Sequence, residues 1–285
     1  MDSIVARKMW RTLEPCHAVI YFTPRATEAY DALGIPRSAG YFASRSAAMG
    51  AVSAEVVAAT FFNFNPALVR AAIPAVWDVA PPAAVVAARF GAAGVALREV
   101  LGDDVAGSDE MRWAAETARR AAESCPSAGR PLFAGHAGLD WPDEPLLVLW
   151  HALTLLREYR GDGHIAALVL ADVSPCEALH THIAAADGIL PVDILKLTRG
   201  WPEVDWQAAG DALRKRGWIT DDGSFTDAGR AARDQVEAAT DERSLVPWET
   251  LGEATCDKLR ATVRPWSRAV IDSGVMGGGP GGGSR

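Results

Sequence analysis

Apolar residues recur at helical spacing along almost the whole chain, and Gly, Pro and small polar residues cut that pattern into successive helices. Residues 2–20 read as an amphipathic helix, with Ile4, Met9, Trp10 and Leu13 near one face. A second helix over 24–33 starts near Pro24 and stops at Gly34, and a third runs over 38–49 to Gly50. Ser53 is placed to cap a fourth, and Asn65-Pro66 opens a fifth with proline in its first turn. After a loop over 78–82, residues 83–101 form a long Ala- and Val-rich helix and 108–124 another. Residues 125–145 are rich in proline and glycine and read as a linker. Helices resume over 146–159, 164–172, 175–186, 191–199 and 203–217. Trp218-Ile219, the turn Asp221-Asp222-Gly223-Ser224 and Phe225 predict a short two-stranded wing. A helix then runs from Thr226 to about 240 and a last one over 249–272, before a Gly-rich tail that reads as disordered. The expected fold is mainly α.

The pattern also repeats. Glu55–Thr60 aligns with Asp193–Thr198 at an offset of 138, and Gly50 falls on Gly188 at the same offset. Trp10–Leu13 aligns with Trp150–Leu153 at 140, while Trp77 meets Trp218 and Arg89 meets Arg230 at 141. The implied organisation is an N-terminal half over 1–124, the linker 125–145, a C-terminal half over 146–273 and the tail 274–285. Two related halves in one chain predict an intramolecular pseudo-dimer about a pseudo-two-fold axis, with a ligand cleft between them. Further homodimerisation stays open.

The stretch ALRKRGWITDDGSFTDAGRAARDQVEAATDE (212–242) resembles the C-terminal part of a MarR-type winged helix: an Arg-Gly-hydrophobic step, a wing, then T-x-x-G-R opening the next helix. With LEPCHAVIYF, GYFASRSAAMGAV, TFFNFNPALV and LREYRGDGHIAAL, the chain over about 5–270 resembles an actinobacterial family of MarR-like helix-turn-helix proteins, sometimes labelled SalK. The resemblance implies tandem winged-helix-like units and, by analogy of fold, DNA as a partner.

Charge argues against that partner. Over 191–240 seven Lys/Arg face nine Asp/Glu, and the helix that ought to read bases begins with Glu203, Asp205, Trp206 and Gln207. The basic run Arg214-Lys215-Arg216 lies at a helix C-terminus, where it also answers the helix dipole. Net charge for the 285 residues is −8. Cys16, Cys125, Cys176 and Cys256 are scattered, without metal or redox spacing, and suit a reducing cytoplasm. No signal peptide or membrane span is read. The motifs of dinucleotide folds, P-loops, zincins and α/β-hydrolases are missing, and no sequence feature names a cofactor.

The candidate chemistry centres on Arg157-Glu-Tyr-Arg160-Gly-Asp162-Gly-His164. Its glycines suggest a sharp turn between an apolar helix over 146–156 and another over 165–170, with Asp162 capping the second and His164 in its first turn. A neutral His164 beside Asp162 could serve as general base, metal or haem ligand, or hydrogen-bond anchor; a purely structural turn is the competing reading. His17 falls opposite Arg157 in the repeat, which adds it to His164 and Asp162 as a catalytic candidate. Arg157 and Arg160 would hold an anionic group, with Tyr21, Tyr41 and Asn63 as further ligand contacts and Glu14 nearby. Neither Cys16-His17 nor His180 with His182 has a spacing that shares a metal. The sequence thus points to a small-molecule-binding protein, an enzyme or a sensor, on a winged-helix scaffold that has lost most DNA affinity. A ligand-responsive MarR-type regulator is the alternative, and a scaffold acting through a protein partner the third.

Overall fold

The computed structural model describes residues 1–185 and 191–276. Gly188 of the repeat, the end of the helix expected over 175–186 and most of the Gly-rich tail lie outside the described residues. Among the described residues the chain is helical, with α1 Ile4–Ala18, α2 Pro24–Ala32, α3 Arg37–Ser46, α4 Ala54–Phe61, α5 Pro66–Arg70 and α6 Val76–Val79. There follow α7 Pro82–Leu101, α8 Asp103–Ala106, α9 Asp109–Glu123, α10 Pro131–Ala137, α11 Pro145–Leu170 and α12 Pro175–Ala185. The last are α13 Val192–Arg199, α14 Glu203–Lys215, α15 Asp227–Arg243, α16 Val246–Leu251 and α17 Glu253–Asp272. The predicted caps form: Ser53 accepts from the Val56 N–H, Asn65 from Ala67 and Ser108 from Met111. Each satisfies a donor that a helix start leaves open.

Two sequence expectations are corrected. The glycine-bearing segment 157–164 is no turn; α11 runs unbroken through Gly161 and Gly163. Two interior glycines weaken a helix by roughly 1 kcal/mol each. Burying Trp150, Tyr159 and Leu168, at about 1.5–3 kcal/mol per large apolar side chain, outweighs that. Asp162 therefore starts no helix of its own. Its Oδ2 accepts the backbone N–H groups of Leu132 (3.1 Å) and Phe133 (3.0 Å), capping α10 from outside. The proline- and glycine-rich stretch 125–145 thus contains a helix whose Leu132 and Phe133 are buried against α11.

The main core joins α1, α3, α7, α9, α10 and the first half of α11 to α16 and α17, so the two ends of the chain pack together through α1 and α17. Two smaller apolar clusters hold α12, α14, α15 and the end of α11. At the expected wing, Ile219 and Phe225 form an isolated antiparallel bridge, and no strand occurs among the described residues. Thr226 caps α15 by accepting from Gly229, and a Cβ on Gly229 would lie 1.9 Å from the Trp218 carbonyl oxygen. That close approach is the physical content of the T-x-x-G pattern.

Two turns from distant parts of the chain also meet. Trp201 Nε1 donates to the Asn63 carbonyl (2.9 Å), and the Asn65 N–H donates to the Arg199 carbonyl (2.9 Å). No helix among the described residues is long and apolar enough to cross a membrane.

Candidate functional site

Glu14 and His17, on one face of α1, and Tyr21 one turn beyond it meet Trp150, Thr154, Arg157 and Glu158 of α11, with Tyr41 and Arg45 of α3 behind them. Glu158 has no exposed surface. Arg45 grips it with two hydrogen bonds, Nε to Oε1 at 3.2 Å and Nη2 to Oε2 at 2.8 Å, and Arg157 Nη1 adds a third at 2.8 Å. Burial alone raises a carboxyl pKa, but Arg157 and Arg45 outweigh it and hold Glu158 well below the usual range. Glu14 goes the other way. Burial and the neighbouring Glu158 raise its pKa against the pull of Arg157, and its buried Oε2 has no hydrogen-bond partner.

The tautomer of His17 follows from its neighbours. Thr154 Oγ1 donates its one proton to the Trp150 carbonyl (3.0 Å), so at 3.1 Å it must accept from His17 Nδ1. His17 Nε2 is then an acceptor, and Tyr21, at 3.2 Å, donates to it. Tyr21 oxygen in turn accepts from Arg89 Nη2 at 3.3 Å. Burial, followed by the charges of Arg157 and Arg89, holds the His17 pKa well below its ordinary value. His17 is neutral, lying nearly parallel to Trp150 with ring centroids 5.9 Å apart.

Beside this cluster a narrow crevice with an internal volume of about 20 Å³ runs between α1, α11 and α16. Glu14, His17, Arg157 and Arg160 form its polar wall, and Trp10 and Trp248 line it among apolar neighbours.

The structure brings four of the sequence candidates into one cluster: His17, Tyr21, Tyr41 and Arg157. The Tyr21 and Tyr41 rings are 5.5 Å apart, and the Arg157 guanidinium is 5.5 Å from the Tyr21 ring. Arg160 lies on the crevice wall, paired with Asp241 of α15 at 2.8 Å and 5.0 Å from the Trp10 ring. His164 stands two turns along α11, with Nδ1 3.0 Å from Thr240 Oγ1 and 4.0 Å from Glu237. It does not line the crevice, and Asp162 points away to α10. Asn63 sits at the turn joined to Trp201, also apart from the crevice.

Sequence reasoning missed Arg45, Thr154, Glu158 and Arg89 as members of this cluster. A usable signal existed: Arg45 and Arg89 are lone charges in stretches otherwise built of Ala, Gly, Ser and apolar residues. Such charges face inward when the helix is buried all round.

In the C-terminal part of the chain, α14 presents Glu203, Asp205, Gln207 and Asp211 to solvent. Two basic neighbours are engaged, Lys196 with Glu203 at 3.3 Å and Arg214 with Asp211 at 2.7 Å. Among the described residues no group of three His, Cys, Asp or Glu is placed to hold a metal ion. No curated protein and no solved structure matches the chain. A family described as a helix-turn-helix family matches residues 6–277, taking in the crevice, α14 and the Thr226–Gly229 junction, and the chain belongs to that family.

Proposed function

We propose that this helix-turn-helix protein binds a small organic molecule in the crevice between α1 and α11, and acts in the cytoplasm as a sensor or enzyme instead of primarily as a DNA-binding protein. The observation that carries the reading is the crevice wall of Glu14, His17, Arg157 and Arg160 beside Trp10 and Trp248. Neutral His17 and the carboxyl of Glu14 offer proton-accepting and proton-donating positions.

The scaffold is read as two MarR-like winged-helix halves, over 1–124 and 146–273, forming an intramolecular pseudo-dimer of the actinobacterial type. The contact between the Asn63–Asn65 and Arg199–Trp201 turns supports this, because Glu55–Thr60 and Asp193–Thr198, which precede those turns, are the aligned segments of the repeat.

Native mass spectrometry and a UV–visible spectrum of the protein as purified test the ligand reading. Expected is a retained small molecule, or a mass gain on incubation with metabolite mixtures, that Trp10→Leu weakens. Absence of any bound species in both formats would count against it. A MarR-type regulator is the second reading, favoured by family membership and the Thr226–Gly229 junction. It requires salt-dependent duplex binding despite the acidic face of α14.

A further inference from the structure

A groove of about 340 Å³ runs between α12 and α14, and it shares no lining residue with the crevice. That volume falls in the range of small-molecule sites, on the order of 300–1,000 Å³. Cys176 and Leu179 of α12 pack on Trp206 and Ala209 of α14 and fix the two helices to each other. Glu203, Gln207, Gly210, Asp211 and Arg214 recur at helical spacing and so stand on one face of α14. His180 meets them from α12, its ring 4.5 Å from that of Trp206. Gly210 forms the floor. A Cβ there would lie 3.3 Å from His180 Cε1 and 3.5 Å from Arg214 Nη1. Glycine is a poor choice inside a helix, and here its missing side chain keeps the space between imidazole and guanidinium open.

His180 has one ring nitrogen to offer. Nε2 lies 2.9 Å from the Trp206 carbonyl, which can only accept, so Nε2 carries the proton and Nδ1 the lone pair. Burial lowers the His180 pKa against the pull of that hydrogen bond, and the ring stays neutral above neutral pH. Nδ1 has no protein partner, and unlike the sealed ring nitrogens of His136 and His151 it keeps accessible surface. Its neighbours also have acceptor capacity left. Asp211 gives Oδ1 to Arg214 at 2.7 Å, which leaves Oδ2, and Gln207 donates Nε2 to Glu203 at 3.3 Å, which leaves its amide oxygen. The Glu203 and Asp211 carboxylates are 63% and 76% exposed, so their pairs with Lys196 and Arg214 are screened by water and exchange at little cost.

We propose that this groove binds a small protonated amine, which donates N–H groups to His180 Nδ1 and to the Asp211 carboxylate while its alkyl part lies over Gly210. A lone pair on a neutral imidazole selects a donor, and a carboxylate selects positive charge. Together they demand both in one group, which a primary ammonium supplies and a quaternary ammonium does not. The site goes beyond the ligand reading of the crevice and does not rest on it.

The full-length protein at about pH 7.5, where an unperturbed imidazole is already mostly neutral, is titrated with butylammonium chloride. Tetramethylammonium chloride at matched ionic strength is the control. The His180 Cε1–H resonance is followed by NMR and assigned through its loss in His180→Gln. Butylammonium is expected to give a saturating shift with a Kd on the order of 1–10 mM, and tetramethylammonium only a small, linear one. Gly210→Ala places a methyl group on the floor of the groove and should weaken butylammonium binding about tenfold or more, with the helical circular dichroism unchanged. Asp211→Asn removes the charge from an exposed side chain, should weaken binding several-fold, and decides the matter where Gly210→Ala fails to fold. Equal responses to the two ammonium ions, or no saturable shift with butylammonium, would overturn the site. So would undiminished binding in folded Gly210→Ala or in Asp211→Asn. Trp10→Leu should leave the response intact; its loss there would put the amine in the crevice instead.

Discussion

Asp162 accepts two backbone N–H groups from α10 while buried, and burial pushes its pKa up to about 6 against those hydrogen bonds. The folded state therefore holds the Asp162 proton more tightly than the unfolded chain, whose carboxyl titrates near 4. Stability from this group is full below that lower value and falls as pH rises toward 6, by on the order of 2–3 kcal/mol. Asp162→Asn keeps an oxygen for the cap and removes the charge. It should flatten the contribution and match or exceed wild-type stability at pH 7, as read from urea unfolding at a series of pH values. The buried histidines act with the opposite sign. Burial lowers His136 to about 3 and His151 to about 4, and His17 well below its ordinary value. The unfolded chain takes up these protons near pH 6.5, so the stability they confer is full above that pH and is lost as pH falls below it. Between pH 7 and 6 the three histidines outweigh the smaller, opposite effect of Asp162, and unfolding free energy should drop on acidification. His136→Gln should shrink that drop measurably.

At the scale of single elements, α11 tests the correction reported above. A glycine turn at 161 would tolerate alanine poorly. In the continuous helix, a Cβ on Gly161 meets only Glu158 Oε2, at 3.6 Å, an ordinary contact. Gly161→Ala should therefore stabilise the protein by roughly 0.5–1 kcal/mol. Gly229→Ala should do the reverse, since its Cβ would sit 1.9 Å from the Trp218 carbonyl. A cost of about 2–4 kcal/mol is expected from the forced backbone shift, visible as a lower urea midpoint. Most element positions were legible because caps and apolar period are local: Ser53, Asn65 and Ser108 each announce a helix within a few residues. The unity of α11 was not legible. Gly161 and Gly163 break local propensity, and what overrides them is burial against α10 and α15, elements distant in the chain. The site divides in the same way. His17, Tyr21 and Arg157 were reachable through the repeat and through helical spacing. Arg45 and Arg89 enter from helices whose sequences give no register relative to α11.

Over the whole molecule the net charge is −8, and the exposed start of α14 and the turn that follows it are acidic. Glu203, Asp205 and Asp211 of α14 and Asp221 and Asp222 of the following turn lie exposed, while Arg45, Arg89 and Arg157 point inward. Electrophoretic mobility shift against random duplexes at about 0.1 M salt should accordingly show no binding at micromolar protein. Replacing Glu203, Asp205 and Asp211 together with glutamine should move any residual affinity upward.

Asp241, on the helix that follows the Thr226–Gly229 junction, ends up between two guanidinium groups. Arg7 of α1 reaches it at 2.7 Å and Arg160 of α11 at 2.8 Å. One carboxylate thereby works as a keystone for three helices that are remote in sequence, two from the main core and one, α15, from a smaller apolar cluster. Removing it leaves both guanidinium groups with only the longer contacts to Glu237 of the same helix, 3.8 Å from Arg7 and 3.5 Å from Arg160. Asp241, with Glu237 beside it, also competes with any anion for Arg160 on the crevice wall, so the tie between α15 and the main core and the free cationic charge of the crevice are exchanged for one another.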